Sequence, residues 1–134
     1  MSSEEFNWPV RVYYEDTDAA GLVYYANYLK YLERARTEFL RSLGYEQDAL
    51  THEHGVVFVV RKLVIDYLVA ARFNEMLSAT VQIGRVRRVS LDFLQTVTRA
   101  DEICCTAEVQ VACLNLAARR PCAIPKAITE DLTT

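Results

Sequence analysis

Ala26-Asn27-Tyr28-Leu29-Lys30-Tyr31-Leu32-Glu33-Arg34-Ala35-Arg36-Thr37-Glu38-Phe39-Leu40-Arg41-Ser42-Leu43-Gly44 is the stretch that decides the fold. Its apolar positions Tyr28, Leu29, Leu32, Ala35, Phe39, Leu40 and Leu43 recur at three- and four-residue steps, and Lys30, Glu33, Arg34, Thr37, Glu38 and Arg41 fill the other side. That spacing predicts one long amphipathic helix over 26–43, about 25 Å in length at ~1.5 Å per residue. Asn27 is the expected N-cap and Gly44 the expected left-handed stop. Glu33 and Glu38 among three arginines read as a solvated or interface face.

Upstream, Trp8, Val10, Val12 and Tyr14 alternate with Arg11 and Tyr13, the period of a half-buried strand over 8–14. Glu15 to Gly21 is rich in Asp, Thr and Gly and predicts a turn. Downstream, 45–55 reads as a loop, and four strands are expected at 56–68, 77–87, 90–98 and 103–114. In the last of these Ile103, Cys105, Ala107, Val109, Val111 and Cys113 share one face. The apolar stripe of the helix needs a sheet face to cover it, so the expected class is α+β, an antiparallel sheet wrapped around one central helix. Short connections between the later strands exclude an alternating parallel sheet.

With 134 residues, the chain is expected to form a single domain over 1–134. At 51% hydrophobic and 25% charged residues the composition is globular rather than disordered. The longest apolar run, Val56 to Val60, is far short of the roughly 20 residues a bilayer demands, so no membrane span is expected. Glu4 and Glu5 in the first residues do not fit a secretory signal, which points to the cytoplasm. The net charge of −3, with basic and acidic residues interspersed, argues against nucleic acid as a partner. Cys104, Cys105, Cys113 and Cys122 form no C-x-x-C pair and share the chain with only two histidines, so they read as small core residues and no metal is expected. His52 and His54 read as a solvated loop pair.

Chemistry concentrates in Tyr14-Glu15-Asp16-Thr17-Asp18-Ala19-Ala20-Gly21-Leu22-Val23-Tyr24-Tyr25-Ala26-Asn27-Tyr28, where carboxylates and tyrosines flank the start of the long helix. A helix N-terminus offers unpaired N–H groups and positive partial charge to a developing oxyanion. A carboxylate just upstream can act beside it as base or nucleophile. An Asx turn closed by Asp16 or Asp18, with the tyrosines in the core, accounts for the same composition.

The string E-D-T-D-A-x-G-x-V-Y-Y-A-N-Y-L from Glu15, followed by E-R-A-R-T-E-F-L at Glu33 to Leu40, resembles hotdog-fold acyl-CoA thioesterases of the 4-hydroxybenzoyl-CoA thioesterase type. Within them it is most similar to the YbgC-like branch associated with the Tol-Pal cell-envelope system. The likeness continues through V-V-R-K at Val59 to Lys62, A-R at Ala71 to Arg72 and I-P-K at Ile124 to Lys126. The resemblance implies a hotdog fold and hydrolysis of an acyl-CoA, with Asp18 as nucleophile or general base and the Tyr25 backbone N–H polarising the thioester oxygen. Many YbgC-like proteins carry His at the position of Tyr25, an exchange that spares a backbone donor, and the branch usually has Pro where Ala70 stands.

Tyr14, Gly21, Val23 and Tyr24 are the candidate substrate contacts around Asp18. Arg87 and Arg88 at a hairpin, and Arg119 and Arg120 before Pro121, read as solvated turns by residue type and as coenzyme A phosphate clamps by resemblance. Glu15 and Asp16 read as turn residues that could tune Asp18 by like charge. No cofactor is expected, and a homodimer or homotetramer is. A hydratase on the same fold would use a histidine paired with an acid on the long helix, and no histidine precedes His52. A non-catalytic module binding acyl carrier protein or an envelope-related partner stands as the alternative.

Overall fold

The computed structural model describes residues 5–133. Strand β1 (Phe6–Arg11) leads through a single 3-10 turn (Tyr14–Asp16) to the long helix α1 (Asn27–Ser42) and a short helix α2 (Gln47–His54). Strands β2 (Val56–Tyr67), β3 (Met76–Val86), β4 (Ser90–Arg99) and β5 (Glu102–Asn115) follow, then the two-residue β6 (Arg120–Pro121) and helix α3 (Lys126–Thr133). The sheet runs β1-β3-β4-β5-β2, antiparallel at every pairing, with β6 on the end of β5. It curls around α1, the hotdog arrangement that the resemblance implies.

Helix α1 is where the pattern placed it because Tyr28, Tyr31, Leu32, Ala35 and Leu40 are all buried. The first four meet Val10, Leu77, Ala79, Val81, Leu91, Phe93, Val97 and Val109 from the sheet in one cluster. Burying a side chain such as Leu32 contributes about 2 kcal/mol over leaving it in water. The helix ends at Gly44, whose φ is +96°. There Gly44 N–H donates to Arg41 O at 2.9 Å and Tyr45 N–H to Leu40 O at 2.9 Å, the paired bonds of a Schellman stop.

Several expectations are corrected. The first strand stops at Arg11, not Tyr14, because Tyr13 N–H turns to the Asp16 carboxylate, 2.8 Å away, and starts the 3-10 turn. Segment 45–55 is mostly helix rather than loop. Its polar sequence QDALTHEH hides this, since Leu50 alone is buried, and Gly55 at φ +67° ends it. His52 and His54 therefore sit in the last turn of α2, still exposed. Asn27 does not cap α1; Ala26 occupies that position, and the Asn27 side chain is committed elsewhere. Helix α3, with Ile128 and Leu132 buried four residues apart, was not anticipated.

Strand β2 pairs with β5 on one side only. A register shift at Arg61 sets Val60 opposite Val111 but Lys62 opposite Gln110. This bulge swaps the faces: Val56 and Phe58 turn inward before it, Leu63 and Ile65 after it. Along the free edge Val59, Val60 and Val64 are exposed.

Gly44→Ala should lower stability by about 1 kcal/mol, because a Cβ there meets no atom within 4 Å and only the left-handed backbone opposes it. Thermal unfolding should show a midpoint about 4 °C lower with the helix content intact.

Candidate active site

The turn between β1 and α1 is built around two aspartates with opposite surroundings. Asp16 is 5% exposed. Its Oδ2 accepts from Tyr13 N–H at 2.8 Å, its Oδ1 accepts from Asn27 Nδ2 at 3.0 Å, and its carbonyl accepts from Tyr24 N–H at 2.8 Å. Asp18 is exposed. Its Oδ1 accepts from Ala20 N–H at 2.9 Å and Leu22 N–H at 3.2 Å, closing a turn in which Gly21 takes φ +79°. Among the described residues no donor reaches Asp18 Oδ2. An antiparallel bridge between Thr17 and Val23 closes the base of this turn, and a second between Leu22 and Arg72 ties it to the loop before β3.

The start of α1 is fixed by the same turn. Tyr24 O accepts from Asn27 N–H at 2.8 Å. In a trans peptide the carbonyl and the next N–H point opposite ways, so the Tyr25 N–H is directed away from the helix. Among the described residues it has no acceptor. The first turn of α1 holds no acidic side chain of its own; the Asp16 carboxylate reaches it through the Asn27 side chain and leaves the Tyr25 N–H open. The Tyr25 side chain is exposed, and its carbonyl accepts from Tyr67 Oη at 3.0 Å.

Aromatic rings continue from here into the core. Tyr24 lies 4.9 Å from Tyr25, Tyr25 6.0 Å from Tyr67, Tyr67 5.6 Å from Tyr28, and Tyr28 6.0 Å from Tyr31, centroid to centroid. Hydrogen bonding and charge from Tyr25 push the Tyr24 phenol up, and burial pushes Tyr28 and Tyr67 up. These phenols are donors at neutral pH, not bases. The Tyr31 hydroxyl is buried with no hydrogen-bond partner among the described residues. Burial, reinforced by the Asp16 carboxylate beside it, holds it protonated.

Of the other candidates, Tyr14 is exposed and stacked 4.0 Å from Phe73, Gly21 shapes the turn, and Val23 is 5% exposed in the core beneath it. Arg87 grips Asp92 with both ends of its guanidinium, at 2.9 and 3.0 Å, and holds that carboxyl below the usual range. Arg88, Arg119 and Arg120 are exposed. They lie at one end of the sheet, where Arg120 pairs with Asn115 and the Arg88 carbonyl accepts from Ile124 N–H. The Tyr25 contact lies at the other end, where Tyr67 pairs with Cys105. Residues 105 and 115 are ten apart along β5, or about 33 Å. Within one chain the fold does not bring the arginines to Asp18.

Burial pushes the thiols of Cys105 and Cys113 up to about 12, so neither is a thiolate nucleophile at neutral pH. Among the described residues no three His, Cys, Asp or Glu side chains are grouped to hold a metal ion. A cavity of about 220 Å³ lies along α1 rather than at Asp18, between Arg36, Leu40, Phe58, Val60 and Phe93, beside the free edge of β2. The sequence reading missed Tyr67, which is 42 residues from Tyr25 and carries no local signal of that contact.

Residues 12–132 match the model of the thioesterase-like superfamily. The chain is 45% identical over 132 residues to the acyl-CoA thioester hydrolase YbgC of Escherichia coli O6:H1, covering 98% of both chains. It is 44% identical over 128 residues to the acyl-CoA thioesterase YbgC of Haemophilus influenzae, covering 96% of this chain and 94% of that one. The crystal structure of a probable thioesterase from Bartonella henselae superposes with a TM-score of 0.86 at 31% identity, over 91% of this chain and all of the other. The chain therefore belongs to the thioesterase-like superfamily, among the YbgC-like acyl-CoA thioesterases of hotdog fold.

Proposed function

We propose that this chain hydrolyses the thioester of an acyl-CoA to the free acid and coenzyme A at Asp18 and the Tyr25 N–H. The observation that carries the reading is the pairing of one uncommitted carboxylate oxygen with one uncommitted helix N-terminal N–H on a single turn. The thioester oxygen accepts from the Tyr25 N–H, which strengthens as negative charge grows on it. Asp18 Oδ2 then follows one of two routes. It attacks the carbonyl carbon, coenzyme A leaves as thiolate, and water hydrolyses the resulting anhydride; or it takes a proton from the water that attacks. Oδ1 stays on Ala20 and Leu22 in either case and keeps the group in place.

The work is placed in the cytoplasm on the supply of acyl-CoA there; no helix among the described residues is long and apolar enough to cross a membrane. The carrier is coenzyme A or an acyl carrier protein. Of the four candidate arginines Arg87 is engaged by Asp92, which leaves Arg88, Arg119 and Arg120 to meet its phosphates. Two copies joined antiparallel along β2 would bring the arginine end of one beside the Asp18 turn of the other. The exposed valines on that twelve-residue edge support such a homodimer, or a tetramer of two, because a long apolar edge strand needs a cover.

Asp18→Asn should keep the thermal midpoint and lose most thiol release, since loss of a general base alone typically costs about 10² to 10⁴ in rate. A kcat within a few-fold of wild type at an unchanged midpoint would remove Asp18 from the chemistry. Absence of thiol release by wild type across short, long and aromatic acyl-CoAs would favour a binding module instead.

Arg88→Ala, Arg119→Ala and Arg120→Ala should raise KM for acyl-CoA several-fold with little change in kcat, because the contact is remote from the bond broken. The effect should fade as ionic strength rises from about 0.01 M to about 1 M. Unchanged KM in all three at low salt would return these residues to the solvent.

Light scattering at micromolar concentration should give an even multiple of the chain mass, and Val60→Lys on the free edge should shift it toward the monomer with loss of activity. An active monomer would overturn the composite site.

A further inference from the structure

We propose that Asp16 is the positioning residue of this site, holding through Asn27 and Tyr13 the peptide that presents the Tyr25 N–H and the turn that presents Asp18. The inference rests on the catalytic reading above and adds to it a residue that touches no substrate.

Asp16 is the one carboxylate among the buried polar residues described, and no lysine or arginine is paired with it. A buried carboxylate without a cation needs donors, and each donor it has taken comes from a different part of the site. Oδ2 holds the N–H of Tyr13, where the chain leaves β1. Oδ1 holds the side-chain amide of Asn27, the first residue of α1. The Asp16 carbonyl holds the N–H of Tyr24, and the carbonyl of Tyr24 holds the N–H of Asn27. The peptide between Tyr24 and Tyr25 is thus fixed by a circuit that starts and ends on Asp16. Asp18, two residues on, leaves from the same anchored point. The tie of Asp16 to Asn27 spans 11 residues and is the side-chain bond that locks the 3-10 turn to the helix.

The donor and acceptor count makes this testable. Both partners of the Asp16 side chain are donors, so the amide of Asp16→Asn, with one oxygen and one NH2, satisfies only one of them. Adding Asn27→Asp restores both. The amide oxygen at 16 keeps Tyr13 N–H, and its NH2 donates to the new carboxylate at 27, where the helix N-terminus favours a negative charge.

The experiment measures kcat and KM for one responsive acyl-CoA, with the thermal midpoint, in Asp16→Asn, Asn27→Ala, Asp16→Asn/Asn27→Asp and Asp18→Asn. The two single changes at 16 and 27 should lower kcat by about 10²-fold, the scale of a 1 Å misplacement, and leave KM within a few-fold. The double variant should recover kcat to within several-fold of wild type. If Asp16→Asn does not fold, Asn27→Ala reads the same tie with the carboxylate in place. Wild-type kcat in a folded Asp16→Asn or in Asn27→Ala overturns the proposal, as does a folded double variant no faster than Asp16→Asn. Wild-type kcat in Asp18→Asn sinks the catalytic reading itself, whereas inactivity there beside full activity in Asn27→Ala sinks only the positioning role.

Discussion

Helix α1 has an apolar face of tyrosine, leucine and alanine, and among the described residues nothing but the curled sheet is large enough to cover it. That single burial sets the rest. It obliges the sheet to bend, it puts the outer face of β3, β4 and β5 toward water, and it leaves the two ends of the helix at two ends of the molecule. At the N-terminal end the preceding turn takes the Asn27 N–H and leaves the Tyr25 N–H without an acceptor among the described residues. The C-terminal end is closed by Gly44 and tied through Tyr45 to Asp131 in α3.

The two aspartates of the turn show how environment divides labour between identical groups. Asp16 is enclosed and has its oxygens taken; Asp18 is in water with one oxygen taken and one open. A group saturated with fixed donors is good scaffolding and a poor reactant, because attack on a carbonyl would cost it those bonds. Asp18, exposed and with one oxygen uncommitted, is the one of the two that the proposed hydrolysis can use.

The helix and four of the strands were legible because their burial follows the periods of 3.6 and 2 that side chains impose. Helix α2 was not, since eight residues with one buried leucine carry no period to read. Asn27 was misread for a related reason. Its type favours a cap, but a buried carboxylate 11 residues away competed for the same amide and won. Asp18 and Tyr25 were named by the family resemblance that the run around them carries; the residue types alone fit an Asx turn equally well. The separation of the arginines from that run belongs to the register of β5 with β2 and β6, which no local pattern encodes.

The bulge at Arg61 reaches further than the ladder it interrupts. A strand of strict alternation starting with Val56 and Phe58 inside would carry Asp66 inward and Tyr67 outward. One extra residue reverses this, and the phenol of Tyr67 arrives at the carbonyl of Tyr25. The contact between Tyr67 and the start of α1 is thus indexed by a count of residues in the edge strand. Point changes at Arg61 leave that count alone, while loss of the residue would rotate everything beyond it by half a turn. In a lineage of such chains, substitutions at this position should drift freely and single-residue deletions should be rare.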